Sequence, residues 1–335
     1  MPRLNPKFFI DDDFEEYADP LKRRHERSAG QRAPAKVSAE IAEQDDSQER
    51  FDFTYQASRH ERWWLSNSLG GFYEQQWISD VLAMVRGGKE ASVYQCRGTA
   101  STGAPYLAAK VYRPRQLRNL RNDSLYREGR ANIDADGHEI LDGRMQRAMR
   151  NRTSYGLALL HTSWLTHEFT TLQALHAAGA DVPTPYATGE NAILMGYIGD
   201  ESVAAPTLSS VSLEADEAHS LFERVFSNIA IMLQQERIHG DLSAYNILYW
   251  EGRITLIDFP QAISPRTNRN AYRIFERDVA RVCEYFTRQG VKSNPRSLAR
   301  ELWTSHGYRL APEVHPGLLD AADEGDRKYW EQIKA

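Results

Sequence analysis

Short apolar runs separated by turn residues mark the chain after residue 80, and they predict a small β-sheet. The runs are 81–85, 91–96 and 106–112, with a Gly87-Gly88 turn after the first and a polar turn over 98–105 after the second. Short strands joined by glycine-containing turns are typical of an antiparallel meander. Aromatic residues accumulate between 51 and 77, where we expect short helices that cover one end of the sheet.

Helical periodicity replaces this pattern after residue 160. Leu165, Phe169, Leu172 and Leu175 recur at steps of four and three, which predicts a helix that ends at Ala178-Gly179. The prolines in 182–185 interrupt the chain, and 192–195 is typical of a buried strand. The pattern then predicts a long helix over 214–236, short strands at 247–249 and 254–257, and helices in the remainder.

Two segments, 1–50 and 113–160, show neither helical nor strand periodicity. Residues 1–50 carry separate acidic and basic blocks, and we predict a disordered, charged N-terminal tail. Residues 113–160 are rich in arginine and weakly periodic, which predicts a flexible or functional loop. The expected domains are therefore the tail, an N-lobe over 51–198 that contains this loop, and a helical C-lobe over 199–335.

Composition narrows the class of protein. The chain has 335 residues, 41% of them hydrophobic, and its 41 Lys and Arg against 46 Asp and Glu give a net charge of −5. Such acidity argues against a general nucleic-acid binder. Two distant cysteines, Cys96 and Cys283, without metal-ligand spacing argue against a disulfide framework and a structural zinc site. Because no apolar run reaches the roughly 18 residues of a membrane span and the N-terminus lacks a signal-peptide region, we expect a cytoplasmic protein without membrane contact.

The segment 239–246, His-Gly-Asp-Leu-Ser-Ala-Tyr-Asn, carries the most chemical information, together with Asp258 at the end of a later apolar strand. Phosphoryl transfer requires one carboxylate to orient a hydroxyl, and a second carboxylate with an amide oxygen to hold a divalent metal. His-x-Asp-x₄-Asn followed by Ile-Asp-Phe matches the kinase pattern. Alone, Asp241 and Asn246 also suit an ordinary turn; joined to Asp258 they favour phosphoryl transfer.

Upstream residues supply the other parts that a nucleotide site needs. Gly87-Gly88 lies between two strands, where backbone N–H groups can bind phosphate, although an ordinary hairpin has the same glycines. Lys110 lies in the third apolar strand, where an ammonium can reach the α- and β-phosphates, and its apolar flanks disfavour a surface lysine. Glu168 on the following helix is the expected partner of Lys110.

From about Trp64 to Arg288 the chain resembles the RIO family of atypical serine/threonine protein kinases. The resemblance is carried by 88–94, 109–112, 239–246 and 257–261. The Gly-Lys-Glu loop and the Asp-Phe-Pro-Gln ending are more discriminating than His-x-Asp, which many kinases share. The resemblance implies an α+β, two-lobed protein-kinase-like fold of RIO type, with a small antiparallel-sheet N-lobe and a mainly helical C-lobe.

The resemblance also implies roles for individual residues. ATP would lie between the lobes with Mg²⁺, or Mn²⁺ in its place, bound by Asn246 and Asp258. Lys110 would contact the phosphates with Glu168 as its partner, and Asp241 would be the catalytic aspartate. The expected nucleotide-binding residues are Gly87, Gly88, Lys89, Glu90, Ala91, Ser92 and Val93 in the loop, and Met195, Tyr197 and Ile198 in the hinge.

The features in which this sequence departs from ordinary protein kinases fit the RIO family. Gly240 replaces the arginine that usually reads a phosphorylated activation loop, and no Ala-Pro-Glu follows Asp258, so we expect no activation segment. The resemblance further implies that the loop between the lysine and the glutamate carries autophosphorylation, with Ser124 as the candidate acceptor.

Three functional hypotheses remain open on the sequence. The first is a RIO-type kinase that phosphorylates proteins or itself. The second is a small-molecule kinase of the aminoglycoside/choline phosphotransferase type, which the His-Gly-Asp and Ile-Asp-Phe motifs suit equally. The third is an ATPase switch in ribosome-related assembly, in which the basic residues of 113–152 contact RNA. The physiological substrate is not predicted.

Overall fold

The computed structural model of the protein describes residues 51–88, 90–113, 130–310 and 327. The predicted tail 1–50, the loop residue Lys89, the candidate acceptor Ser124 and the rest of 114–129 lie outside the described residues.

An antiparallel five-stranded sheet is the first structural layer, as predicted. Its strands are β1 (Ile78–Gly87), β2 (Ala91–Gly98), β3 (Tyr106–Tyr112), β4 (Pro185–Thr188) and β5 (Ala192–Gly196). Their order in the sheet is β1-β2-β3-β5-β4, so β3 lies at the centre. A two-stranded ribbon follows, with β6 (Ile247–Trp250) paired to β7 (Arg253–Leu256).

Six helices of eight or more residues complete the described part of the chain. They are α1 (Arg59–Glu74), α2 (Gly143–Arg150), α3 (Ser154–Ala177), α4 (Ala215–Gln234), α5 (Ala271–Arg288) and α6 (Pro295–Ser305). The two long helices predicted around Leu165 and over 214–236 are confirmed as α3 and α4.

The prediction of several short helices before the sheet is wrong, because α1 is a single helix of 16 residues. Ser58 caps it by accepting a hydrogen bond from the Glu61 amide. Leu65, Leu69 and Phe72 recur at helical spacing and are buried against the sheet. This apolar stripe holds the whole segment in one helix.

The interruption predicted at 182–185 is also wrong in part, because Pro185 begins strand β4. This strand is at the edge of the sheet, and proline is tolerated at the first position of an edge strand because its missing N–H is not needed there.

Part of the loop predicted over 113–160 is helical. Asp142 caps α2 and Thr153 caps α3, each by accepting backbone N–H groups of the first turn. At the junction of the two helices, a Cβ on Gly156 would be 1.9 Å from the Ala148 carbonyl oxygen, so the close approach requires glycine there. Helices therefore form in this segment despite its weak apolar periodicity, because both N-termini are capped and Gly156 allows the helices to approach closely.

Two hydrophobic clusters give the molecule its two lobes. The first joins α1 to the sheet through residues that include Leu65, Phe72, Val81, Leu107 and Leu194. The second joins α4, α5 and the ribbon through residues that include Val225, Ile229, Leu256, Val279 and Phe286. The α+β, two-lobed, kinase-like fold is confirmed. Residues 259–270 alone connect Asp258 to α5, in keeping with the absence of an activation segment. Within the described ranges, no helix combines the length and apolarity of a bilayer span.

Candidate active site

Lys110 lies on the central strand β3 and joins three separate elements. It pairs with Val93 on β2 and Ile193 on β5, and only 8% of its surface is exposed. Its Nζ atom is 2.5 Å from Glu168 Oε1 on α3 and 2.5 Å from Asp258 Oδ1 after β7. The pairing of Lys110 with Glu168 is thus present, and Asp258 is a second partner.

Neighbouring charges and burial shift the pKa of Lys110 in opposite directions. Burial lowers its pKa, but the carboxylates of Asp258 and Glu168 outweigh burial, so the pKa is raised above the usual value. Glu168 is 4% exposed and also accepts a hydrogen bond from the Tyr112 hydroxyl. The ammonium is therefore held in its charged form at the junction of the lobes.

Asp258 follows β7 in a backbone conformation that is unusual for a non-glycine residue, with φ of +73°. The preceding residue, Ile257, donates its amide to the Asn246 carbonyl at 3.0 Å. Loss of water contact would raise the pKa of Asp258, but Lys110 outweighs that effect and holds the pKa below its usual value. The side chain is 44% exposed, so one side of the carboxylate is accessible to a ligand.

Asp241 and Asn246 lie in one tight loop. Asn246 Nδ2 donates to the Asp241 carbonyl at 2.9 Å and is 3.4 Å from Asp241 Oδ2. The amide nitrogen of Asn246 is thereby oriented toward Asp241, which leaves its oxygen as the atom available to a cation. The Asn246 side chain forms no hydrogen bond with the Asp258 carboxylate; the backbone bond from Ile257 connects their two loops.

His239 and Asp278 hold this loop against the rest of the lobe. His239 is 1% exposed; its Nδ1 accepts the Asp241 amide at 3.3 Å and its Nε2 donates to the Ile257 carbonyl at 3.1 Å. Asp278 on α5 accepts the Gly240 amide at 2.8 Å. One buried histidine therefore links the Asp241 loop to the residue before Asp258.

Gly240 is required by its surroundings. Its φ is +86°, and a Cβ there would be 2.2 Å from the carbonyl oxygen of Gln261. The Arg277 side chain contacts the Gly240 carbonyl and lies 3.1 Å from Asp278 Oδ1. The glycine that the sequence places in the kinase motif thus allows the Asp241 loop to pack on the loop that follows Asp258.

The glycine-rich turn lies at the end of β1 and β2. Gly87 pairs with Ser92, and Val93 pairs with Lys110, so the strand register brings this turn next to the lysine. A Cβ on Gly88 would be 2.6 Å from the Ala91 carbonyl oxygen. The Glu90 carbonyl accepts the Arg113 amide at 2.8 Å. Backbone groups of a turn near Lys110 are therefore present.

The predicted hinge residues connect the sheet to the helical lobe. Met195, in β5, packs against both the C-lobe cluster and the residues around Lys110. Ile198 accepts the Ala205 amide, and Tyr197 contacts Tyr106 with ring centroids 6.2 Å apart. Among the described residues, neither Tyr197 nor Ile198 forms a hydrogen bond with Lys110 or Asp258.

Two arginines at this site were missed by the sequence analysis. Arg281 Nη1 lies 2.6 Å from Asp241 Oδ1. Arg130 Nη1 donates to the Pro260 carbonyl at 3.0 Å, two residues after Asp258. Arg130 stood among many arginines in a segment taken as a loop, and Arg281 stood outside every motif, so no local pattern distinguished them.

Comparison with known proteins identifies the family. Residues 92–298 match the RIO domain, which is more than half of the chain. The protein belongs to the RIO family. Within this family it is 30% identical over 213 residues to the RIO-type serine/threonine-protein kinase Rio1 of Haloferax volcanii, an alignment that covers 63% of this chain and 64% of that protein. The chain thus matches less than two thirds of that relative's length.

Other RIO relatives match over similar or shorter stretches. The human serine/threonine-protein kinase RIO1 is 26% identical over 64% of this chain and 34% of its own length. The Rio1 kinase of Thermoplasma acidophilum is 33% identical over 39% of this chain and 68% of its own length. The crystal structure of the Rio2 kinase from Chaetomium thermophilum aligns with a TM-score of 0.51 at 19% identity, covering 90% of this chain and 87% of that one, which supports the fold alone. These RIO relatives do not favour the small-molecule kinase hypothesis.

Proposed function

We propose that the protein is an ATP- and Mg²⁺-dependent serine/threonine protein kinase of RIO type that acts in the cytoplasm. One observation carries the proposal: Lys110 Nζ is 2.5 Å from both Glu168 and Asp258, which joins the sheet, α3 and the loop after β7 at one point. Phosphoryl transfer in protein kinases uses the same kind of Lys–Glu ion pair, with an aspartate next to it that binds Mg²⁺. The buried free thiols of Cys96 and Cys283 are compatible with a reducing compartment.

The side chains at the site fit a nucleotide and a divalent cation. The Asp258 carboxylate and the Asn246 side-chain oxygen are hard oxygen donors of the kind that Mg²⁺, or Mn²⁺ in its place, prefers. Bound there, the cation would neutralise charge on the transferred phosphoryl group. Lys110 would exchange its bond to Asp258 for the phosphates and keep Glu168 as its buried partner. The backbone of 87–93 would hold the phosphate chain, and the hinge 195–198 would hold the adenine.

Asp241 is the proposed catalytic aspartate. Its carboxylate would accept the proton of a serine or threonine hydroxyl as that oxygen bonds to the γ-phosphorus and the bond to the ADP oxygen breaks. Because the transition state is loose, orientation of the hydroxyl contributes more than the strength of the base. The loop held by His239 and Asp278 is suited to that orienting role.

The proposed acceptor is a protein, including the chain itself, with Ser124 as the first candidate. The experiment is incubation of the purified protein with γ-labelled ATP and Mg²⁺, followed by tests of the stability of the label. Acid-stable label on Ser or Thr supports the kinase. Hydroxylamine-sensitive label would indicate an aspartyl phosphate at Asp258 and an ATPase switch instead. Label that moves only to a small hydroxyl compound would contradict the proposal.

An RNA contact of the kind made in ribosome assembly is a second proposal, supported by one surface. The side chains of Arg144, Arg147, Arg150 and Arg152 are exposed on and just after α2. Clustered arginines bind phosphates with a salt dependence that reports the number of contacts. Neutralising these four residues should lower RNA affinity and flatten its salt slope; unchanged affinity and slope would remove the RNA contact.

A further inference from the structure

Arg281 lies beside the proposed catalytic aspartate although it belongs to no kinase motif. It is on α5, and its Nη1 is 2.6 Å from Asp241 Oδ1. Arg281 forms no second hydrogen bond within the described part of the chain, and its side chain is 41% exposed. The guanidinium is therefore committed to Asp241 rather than to a network of its own.

The helix directs Arg281 toward this loop. Asp278, three residues earlier on α5, lies on the same helical face and accepts the Gly240 amide at 2.8 Å. Asp278 is 3% exposed, so this anchor is fixed in the core. One face of α5 thus binds the backbone before Asp241 through Asp278 and the side chain of Asp241 through Arg281.

The two oxygens of the Asp241 carboxylate consequently differ. Oδ1 accepts the bond from Arg281, whereas the one contact of Oδ2 among the described residues is the 3.4 Å approach of Asn246 Nδ2. A carboxylate has about four acceptor positions, so Oδ2 retains the capacity to bind a hydroxyl. The Asp241 side chain is 42% exposed, which leaves it accessible to an acceptor.

We infer that Arg281 is a positioning residue, which fixes Oδ1 of Asp241 so that Oδ2 faces the acceptor hydroxyl. This inference rests on the proposed function and adds a residue to it. Its effect belongs to the transfer step, because Arg281 contacts the carboxylate that orients the hydroxyl and makes no contact with Lys110, Glu168 or Asp258. Misplacing a reacting group lowers the rate of transfer without weakening nucleotide binding.

Helix α5 also offers a matched control. Arg288 forms an ion pair with Glu284 on the same helix, and both side chains are mostly exposed. Exposed ion pairs contribute little to folding, so neither arginine is needed for the folded state. The pairs differ in that Arg281 contacts Asp241 and Arg288 contacts a surface glutamate.

The experiment compares Arg281→Met, Arg281→Gln and Arg288→Met with the wild type. The rate of label transfer from ATP to the chain is measured at saturating ATP, together with the ATP concentration that gives half that rate. We expect both Arg281 variants to lower the saturating rate by about tenfold with half-saturation within about twofold of wild type, and Arg288→Met to match wild type. Urea unfolding of each variant checks that it is folded.

Two results would overturn the inference while leaving the proposed function intact. In the first, the wild type is active and the Arg281 variants transfer label at the same saturating rate. In the second, the Arg281 variants change only the ATP concentration that gives half the saturating rate. A wild type that transfers no label to protein would instead overturn the proposed function, and this inference with it.

Discussion

Lys110 and Asp258 are 148 positions apart in the chain, and their Nζ and Oδ1 atoms are 2.5 Å apart. This contact joins the lobes, because Lys110 lies on the sheet and Asp258 follows the ribbon of the helical lobe. It also places the Lys110 ammonium, which we propose binds the phosphates, next to Asp258, a proposed metal ligand. Lys110 and Glu168, the two buried charged groups here, are therefore paired with each other at the junction of the lobes.

Replacing Lys110 should therefore affect both folding and transfer. Lys110→Met keeps the length of the side chain but leaves buried Glu168 without its cation, which should lower the free energy of unfolding by about 3 kcal/mol. Transfer from ATP should fall to background. Urea denaturation and label transfer are the measurements, and Lys292→Met, at an exposed position, is the control. Wild-type stability and activity in Lys110→Met would contradict the assigned contacts.

Alanine substitutions at Gly240 and Gly252 distinguish the cost of a steric clash from the cost of backbone strain. Both have positive φ, +86° and +77°, but a Cβ on Gly252 would meet nothing within 4 Å, whereas one on Gly240 would be 2.2 Å from the Gln261 carbonyl oxygen. Gly252→Ala should cost about 1 kcal/mol of unfolding free energy through strain alone. Gly240→Ala should cost about 2 kcal/mol more through overpacking and should also impair transfer. Equal losses in the two variants would contradict the packing described for Gly240.

Asp278 should hold the Asp241 loop in place through its bond to the Gly240 amide. Asp278→Ala leaves the buried Gly240 amide without its acceptor and removes the carboxylate beside Arg277, so unfolding free energy should fall by about 3 kcal/mol. Asp278→Asn retains an acceptor oxygen and should lose less. Urea denaturation of the two variants measures the difference; an alanine variant no less stable than the asparagine variant would argue against the bond.

His167 should make the protein less stable in mild acid. Burial and the charge of Arg130 lower its pKa from 6.5 to about 4. Between these two values the unfolded chain binds a proton that the folded chain does not. The stabilising effect of neutral His167 is therefore complete above pH 6.5 and lost as the pH falls toward 4. The Tm difference between wild type and His167→Gln should shrink over this interval.

A Tm difference between wild type and His167→Gln that stays constant over this pH interval would mean that His167 is not held neutral in the folded state.

Local sequence pattern was sufficient for much of the fold. The meander β1–β3 and helices α3 and α4 were predicted because their apolar residues recur at the period of the element. The pairing of Lys110 with Glu168 followed from a motif on a strand and a stripe on a helix. The assignment of catalytic and metal-binding roles to Asp241, Asn246 and Asp258 stays a prediction until activity is measured.

The missed features depend on contacts between distant parts of the chain. Asp278 and Arg281 contact the Asp241 loop from 38 and 40 positions away. Nothing in their local sequence differs from that of other charged residues on an amphipathic helix. Helix α2 was missed because arginines dominate its exposed face, although its capping residue Asp142 was a local signal. Strand β4 was missed because a proline begins it.

Phosphate transfer by Asp241→Asn tests the central claim most directly. Wild type, Asp241→Asn and the exposed control Asp216→Asn are compared for ATP affinity and for the rate of label transfer to protein at equal ATP occupancy. We predict that Asp241→Asn binds ATP within about twofold of wild type and transfers label about a thousandfold more slowly, while Asp216→Asn matches wild type. Transfer by Asp241→Asn at the wild-type rate would contradict the account.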